Sequence, residues 1–432
     1  MEETNNQQKE EYEIIRERIK TRPINQKKLF RRTLITAAMA VIFGVLACIT
    51  FLVLEPIFSN LLTPQDEPAA KDIEIPLDKE ETLPKDMLLE DEVETAAPII
   101  IREEAETIPA LDSYSNLYGE LYNLSREVRK SVVTVTGVNQ NVDWFDNEYE
   151  RKGVTSGLIV ANNGVELLIL TDYAVIDDSE NIKVTFFNDI TVEGTIKETD
   201  KNTGLAVVAI ANENLPSVLL DEALIANLGN SRTNRLLAAP VIAVGHPLGK
   251  VDSVEYGMIT SKSNTMNRID NNYEILTTDM YGDEDSNGVI FNLSGEVVGI
   301  IYQRGPAAAG RSTISLLGIS DIKKTIERMS NGKVRAYLGV TGTDVTMEAI
   351  NKGVPAGAYV TGIEMDSPAM MAGIQSGDVI VKVDGYDITT FAVLTEAIVA
   401  HAPEEEAEIT IRRMNGEEYT DVTIKVQLME LR

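Results

Sequence analysis

The chain is poor in the residues that most often carry acid–base or metal chemistry. Histidine occurs twice, as His246 and His401, and cysteine once, as Cys48. A single cysteine excludes an intrachain disulfide, so cysteines say nothing about the redox compartment. The sequence has no CxxC, no HExxH and no Walker A loop. No metal, nucleotide or haem site is therefore expected, and no cofactor. Basic residues are also in short supply: 39 Lys and Arg stand against 68 Asp and Glu, a net charge of −29. Such a surface repels phosphate backbones, which argues against nucleic acid as a partner. Apolar content of 44% and charged content of 25% are otherwise ordinary for globular protein. A length of 432 residues suits two or three domains with tails.

One segment lacks charge altogether, LITAAMAVIFGVLACITFLVL from Leu34 to Leu54. It is long enough to cross the hydrocarbon core of a bilayer as a helix, with its backbone polar groups satisfied internally. Lys27, Lys28, Arg31 and Arg32 precede it, and the segment after it is acidic. The positive-inside rule then puts residues 1–33, a charged tail with a short helix over Glu10–Lys20, in the cytoplasm. Everything after Leu54 lies outside. This layout suits a single-pass protein of a bacterial plasma membrane.

Residues 55–111 are rich in Asp, Glu and Pro, and read as an extended, mostly disordered acidic linker. A helix is expected from Asp112 to Lys130, with Leu117, Leu121, Leu124 and Val128 on one face and Asp112 or Ser113 as its cap. From Ser131 short β runs alternate with Gly, Asn and Asp turns. The first series is SVVTVTGV, TSGLIVANNGVELLILT, NIKVTFFN, ITVEGTIKE and GLAVVAIA; the second runs from APVIAVG to TISLLGI. Two series of this kind fit two barrels. A short helix over Ile319–Met329 ends at Asn331-Gly332. The last hundred residues mix strands (AYLGVTG, AYVTGIE, DVIVKVDG, EITIRRMNG, DVTIKVQL) with two short helices, a compact α+β module with its own core.

Five stretches in order give a resemblance to the HtrA (Deg) serine proteases with C-terminal PDZ domains. SVVTVTG opens the first barrel, and TSGLIVANNGVELLILTDYAVI is similar to the family's GSG-to-TNxHV segment. TDKNTGLAVVAI resembles the segment ending in DLAVLKI. LGNSRTNRLLAAPVIAVGHPLG and TTDMYGDEDSNGVIFNLSGEVVGI resemble the two stretches that follow. The resemblance implies a mainly β architecture: an N-terminal transmembrane helix, a trypsin-like double β-barrel over 112–330 and a PDZ domain over 331–432. It also implies a homotrimer formed through the barrels.

A trypsin-like protease needs a serine nucleophile, an imidazole to take its proton and a carboxylate to orient the imidazole. By the resemblance the histidine position falls on Ala174, the aspartate position on Gly204 and the serine position on Ser286. Neither Ala nor Gly can accept a proton or orient a base, and a lone serine hydroxyl is a weak nucleophile. In the oxyanion region the family's glycine is replaced by Glu284, followed by Asp285, and a carboxylate there opposes a developing oxyanion. His246, the barrels' one histidine, is a candidate substitute base or simply a turn residue. Asp172, Asp283, Glu284 and Asp285 are alternatives for activating a serine or holding a metal, against the simpler reading of surface acidity. A shifted alignment would make Asp200, beside Lys201, the acid.

Tyr337, Leu338, Gly339 and Val340 resemble the loop and strand that hold a peptide's C-terminal carboxylate in PDZ domains of this type. Helix Thr390–Ala400 would form the groove's other wall, with Phe391, Leu394 and Ile398 at helical spacing as pocket or core residues. His401, just beyond, reads as a surface turn residue. The expected function is thus a membrane-anchored, HtrA-like pseudoprotease that binds peptides or protein C-termini as an extracytoplasmic scaffold or sensor in envelope quality control. The alternatives are an active HtrA-type endopeptidase using Ser286 with a non-standard base, and a structural envelope assembly protein.

Overall fold

The structure, a computed structural model, describes residues 70–78, 110–142, 148–177, 179–250, 252–304, 312–416 and 418–431, with most of 34–46. Within the apolar run, the described residues are helical and exposed, Phe43 at 79%. Residues 47–54 lie outside the described residues, as do the tail helix expected at Glu10–Lys20 and most of the acidic linker. Among the described residues no helix is long and apolar enough to cross a membrane, so they do not by themselves support the expected span.

The first barrel is closed in the order β1-β2-β3-β6-β5-β4, built from β1 (Val132–Val142), β2 (Glu148–Asn162), β3 (Glu166–Asp172), β4 (Asn181–Thr185), β5 (Thr191–Asp200) and β6 (Leu205–Ala211). Strands β3 and β6 read as near-continuous apolar runs because both their faces are covered. Val135, Ile159, Ile169, Val184 and Val208 fill the barrel. Their neighbours Leu158, Leu168, Leu170 and Val207 point outwards into a second core, shared with Ile242, Val244, Tyr273, Ile275 and Phe291. Strand alternation thus fills one barrel and glues it to the next.

The second barrel contains β7 (Asn227–Leu228), β8 (Pro240–His246), β9 (Ser253–Arg268), β10 (Asn271–Tyr281), β11 (Asn287–Asn292), β12 (Glu296–Ile301) and β13 (Thr313–Gly318). Its sheet runs β11-β8-β9-β10-β13-β12-β7, and a β11–β12 pairing closes it. Helix Ile319–Ser330 buries Ile322, Ile326 and Met329 at the barrel junction. The PDZ module follows, with β14 (Ala336–Tyr337), β15 (Val340–Asp344), β16 (Ala358–Ile363), β17 (Val379–Val383), β18 (Tyr386–Asp387), β19 (Glu406–Asn415), β20 (Glu418–Gln427) and β21 (Met429–Glu430). β15 lies at the edge of the sheet β15-β16-β17-β19-β20.

Two expectations need correction. Helix Ala110–Val128 buries Val128 and packs Leu121 and Leu124 on the core, but Leu117 is 53% exposed, beside exposed Tyr114, Tyr118 and Tyr122. Its first half is largely exposed, with the Tyr118 ring standing edge-on to Tyr256 at 6.3 Å. The linker expected to be disordered is ordered at 71–78. Lys71 N donates to Asn163 O (3.0 Å), and Ile73 exchanges two hydrogen bonds of 2.8 Å with the Asn331 side-chain amide. Ile75 N donates to Glu327 Oε2 (3.0 Å), and Asp78 pairs at 2.6 Å with Lys323, whose side chain is 5% exposed. Ile73 and Ile75 pack on the core between the barrels. Alternating isoleucines inside an acidic, proline-bearing stretch supply enough apolar contact to dock it despite its charge.

Candidate active site and peptide groove

Between the barrels lies a cleft of about 160 Å³, lined among others by Ser156, Asp172, Gly204, Ser286, Asn287 and Arg304. β3 ends at Asp172, whose Oδ1 accepts from Ala174 N (2.9 Å) and caps the helical turn Tyr173–Ile176. Tyr173 N donates to Gly204 O (2.9 Å), which ties the turn before β6 to that helix. Ala174 is thus beside the cleft without lining it, and Gly204, at φ +75°, lines it without a side chain.

An arginine reaches into the cleft beside Asp172 and Gly204. Arg304 Nη2 lies 2.5 Å from Asp172 Oδ2, and a Cβ at position 204 would stand 3.7 Å from Arg304 Nη1. Burial pushes the Asp172 carboxyl above its ordinary range, opposed by the Arg304 charge and the Ala174 N–H. Sequence reasoning missed Arg304 because it comes from the second barrel, far along the chain.

Ser286 lines the cleft but is only 4% exposed. Its hydroxyl oxygen accepts from Asp283 N (2.9 Å) and lies 3.1 Å from Asp283 Oδ1, to which it donates. Ser286 N donates to Asp283 O (3.3 Å) and Asp285 N to Asp283 Oδ1 (3.1 Å). Within the turn Asp283–Ser286, the Asp285 and Ser286 N–H groups are therefore given to Asp283. Asp172 and Asp283 are engaged in this way, and among the described residues no three His, Cys, Asp or Glu side chains stand together as a cation site.

His246 is not bonded to Ser286. Its Nδ1 lies 2.6 Å from Ser156 Oγ, which also donates towards Asn287 Oδ1 at 2.8 Å. When the single hydroxyl proton goes to Asn287, the imidazole proton must sit on Nδ1, and the ring then donates to the serine and is no base for it. His246 is 4% exposed, its Nε2 has no hydrogen-bond partner among the described residues, and burial holds its pKa below the ordinary range, opposed by the Asp252 charge. Asp200 also stands apart: buried at 3%, it accepts from Asn202 N and Thr203 N and pairs with Arg328 Nη2 at 2.9 Å.

In the PDZ module, Gly339 has φ +91°, and a Cβ there would stand 2.2 Å from Ser367 Cβ, so this position requires glycine. The loop's N–H groups converge on the carboxylate of Asp270, in the β9–β10 turn. Leu338 N and Gly339 N donate to Oδ2 (2.6 and 2.9 Å); Val340 N and Gly339 N donate to Oδ1 (2.9 and 3.1 Å). Asp270 is 1% exposed, and burial pushes its carboxyl up while the N–H donors and the Arg335 charge push it down. Phe391, Leu394 and Ile398 are at most 1% exposed and belong to the module's core rather than to an open pocket. His401 is held between Ala397 O (2.8 Å) and Asp384 Oδ2 (2.7 Å).

The trypsin-like peptidase domain family matches residues 155–300 and the PDZ domain family residues 336–427. The chain belongs to the HtrA/Deg-like family. A probable periplasmic serine endoprotease DegP-like from Pseudomonas putida (strain W619) is 30% identical over 288 residues, covering 65% of this chain and 57% of the relative. A DegP-like relative from Halomonas elongata is 28% identical over 284 residues, with coverages of 64% and 57%. The chain thus spans a little over half the length of the curated relatives it matches. Of solved structures, the HtrA-type protease AlgW with decapeptide aligns at TM-score 0.53 and 18% identity, covering 72% of this chain and 98% of that one. AlgW with tripeptide gives 0.52 and 19%, with coverages of 72% and 97%. At such identities the likeness shows the fold.

Proposed function

We propose that this HtrA/Deg-like chain is a pseudoprotease, anchored in the bacterial plasma membrane through residues 34–54 with its barrels and PDZ module outside the cytoplasm. It binds peptides or protein C-termini through the PDZ module as a scaffold or sensor in envelope quality control. The observation that carries this reading is the state of Ser286: among the described residues its hydroxyl bonds to Asp283, and the Asp285 and Ser286 N–H groups are given to the same residue. With a carboxylate rather than an imidazole at the hydroxyl and the Ser286 N–H already engaged, both main sources of acyl-transfer rate are weakened. The exposed Tyr114, Leu117, Tyr118 and Tyr122 supply an apolar face for a homotrimer. The test is incubation of the purified chain with casein and with a fluorophosphonate probe, beside Ser286→Ala. Neither protein is expected to cleave or to be labelled; labelling that disappears in Ser286→Ala overturns the proposal.

One contact favours a second reading, an endopeptidase with a non-standard base. Ser156 and His246 place a hydroxyl and an imidazole 2.6 Å apart at the cleft wall, and the ring is a base for that serine when the hydroxyl proton turns from Asn287 to Nδ1. Probe labelling abolished by Ser156→Ala but not by Ser286→Ala would select it.

A further inference from the structure

A PDZ groove recognises a chain end in two ways: loop N–H groups take the terminal carboxylate, and the residue bearing it pairs with the edge strand. Both are already satisfied within this molecule. Asp270 presents a carboxylate to Leu338, Gly339 and Val340 N–H. Its own N–H donates to Val340 O (2.7 Å) on the edge strand β15, the rung that a peptide's last residue would make. Asn272 Nδ2 then donates to Gly342 O (3.1 Å), where a second peptide N–H would go. From the opposite wall, Thr395 Oγ1 on helix Phe391–Val399 donates to Asp270 O (2.8 Å), as does Arg335 Nη2 (3.1 Å). Asp270 holds φ +54°, a left-handed conformation that aspartate tolerates in tight turns and that aims its side chain and its N–H together at β15.

We infer that the β9–β10 turn is a built-in ligand of the PDZ groove, with the Asp270 side chain standing in for a C-terminal carboxylate, so that a free chain end binds only by displacing the barrel from the module. This deepens the peptide-binding reading and rests on it. A carboxylate this buried, with several backbone donors, is an occupied site, not an incidental contact: leaving its oxygens or the loop's N–H groups unpaired is costly. Because occupant and site share one chain, the occupant competes at an effective concentration of about millimolar or above. Engagement of a partner is then coupled to release of the hairpin whose far strand, β10, runs on to Tyr281 and the turn that holds Ser286.

The experiment uses the full chain, wild type, Asp270→Asn and Thr395→Ala, with two readouts. The first is hydrogen exchange of the Leu338–Val340 amides without any ligand. The second is fluorescence anisotropy with a labelled octapeptide pool ending in a free valine carboxylate, and the same pool amidated as control. Asp270→Asn is expected to speed exchange at the loop and to tighten carboxylate-peptide binding by at least about ten-fold. Thr395→Ala, which leaves the carboxylate in place, is expected to tighten it by roughly five-fold. Unchanged exchange and equal affinity in all three proteins overturn the inference. Faster exchange in Asp270→Asn with no peptide bound by any of the three upholds the internal contact and removes instead the reading of the groove as a peptide site.

Discussion

Replacing Arg328 by Met tests how far a buried charge pair holds the barrels and the PDZ connection together. Arg328 leaves helix Ile319–Ser330 to meet Asp200, at the end of β5; their side chains are 12% and 0% exposed. Asp200 also accepts from Asn202 N (3.0 Å) and Thr203 N (3.2 Å), and Arg328 Nη1 donates to Lys333 O (2.9 Å), at the start of the link to β14. Methionine keeps the apolar stem and removes the charge, leaving a carboxylate with no cation. Loss of one partner of a buried pair costs about 3–5 kcal/mol, and the two remaining N–H donors favour the lower end. For the compact unit Pro68–Arg432, at about 2.1 cal/mol/K of unfolding entropy per residue, a loss of about 3 kcal/mol lowers Tm by roughly 4 °C. Joining Asp200→Asn to Arg328→Met removes the orphaned charge and is expected to recover most of the loss. The measurement is urea unfolding followed by circular dichroism for the wild type, the single variant and the double variant. A cost below about 1 kcal/mol for Arg328→Met, or a double variant no better than the single one, would refute the reasoning.

Three further outcomes are expected. Asp78→Ala leaves the Lys323 ammonium without its carboxylate; release of 71–78 lets water in and caps the cost at about 1–3 kcal/mol, while limited proteolysis near residue 78 speeds up, and unchanged cleavage counts against docking. His246 sits below its ordinary pKa in the fold, so the unfolded chain takes the proton more readily, and stability present above about pH 6.5 is lost as pH falls towards the depressed value. Urea midpoints measured from about pH 7 to about pH 5 should fall more steeply for the wild type than for His246→Asn, and parallel slopes would remove this role. Gly339→Ala forces a Cβ within 2.2 Å of Ser367 Cβ at φ +91°, so it should destabilise the PDZ module by more than about 2 kcal/mol in the same assay; a smaller loss means the loop can shift.

The strands announced themselves through local pattern. LAVVAIA in β6 is apolar throughout because one set of side chains enters the first barrel and the other the core shared with the second. Ala174, Gly204 and Ser286 could be singled out because motif order along the chain mirrors their approach to one cleft. What stayed hidden was pairing between distant residues. Asp270 and Leu338 are 68 positions apart, and Ser156 and His246 are 90 apart in different barrels. An aspartate in a hairpin turn is so ordinary a turn residue that nothing local marks it as a ligand. Residues 71–78 were misjudged for the opposite reason. Their composition is that of a solvated spacer, while the apolar contact comes from Ile73 and Ile75 alone and the polar contacts from partners far along the chain, Asn163, Lys323, Glu327 and Asn331.

The docked segment also sets where mechanical load would travel. A pull arriving from the N-terminal side reaches Lys71 first. It is taken up by hydrogen bonds to Asn163 on the first barrel and to Asn331 and Glu327 on the helix that leads to the PDZ module. While those bonds and the Asp78–Lys323 clamp hold, the strain falls on the joint between the barrels and the module rather than on β1.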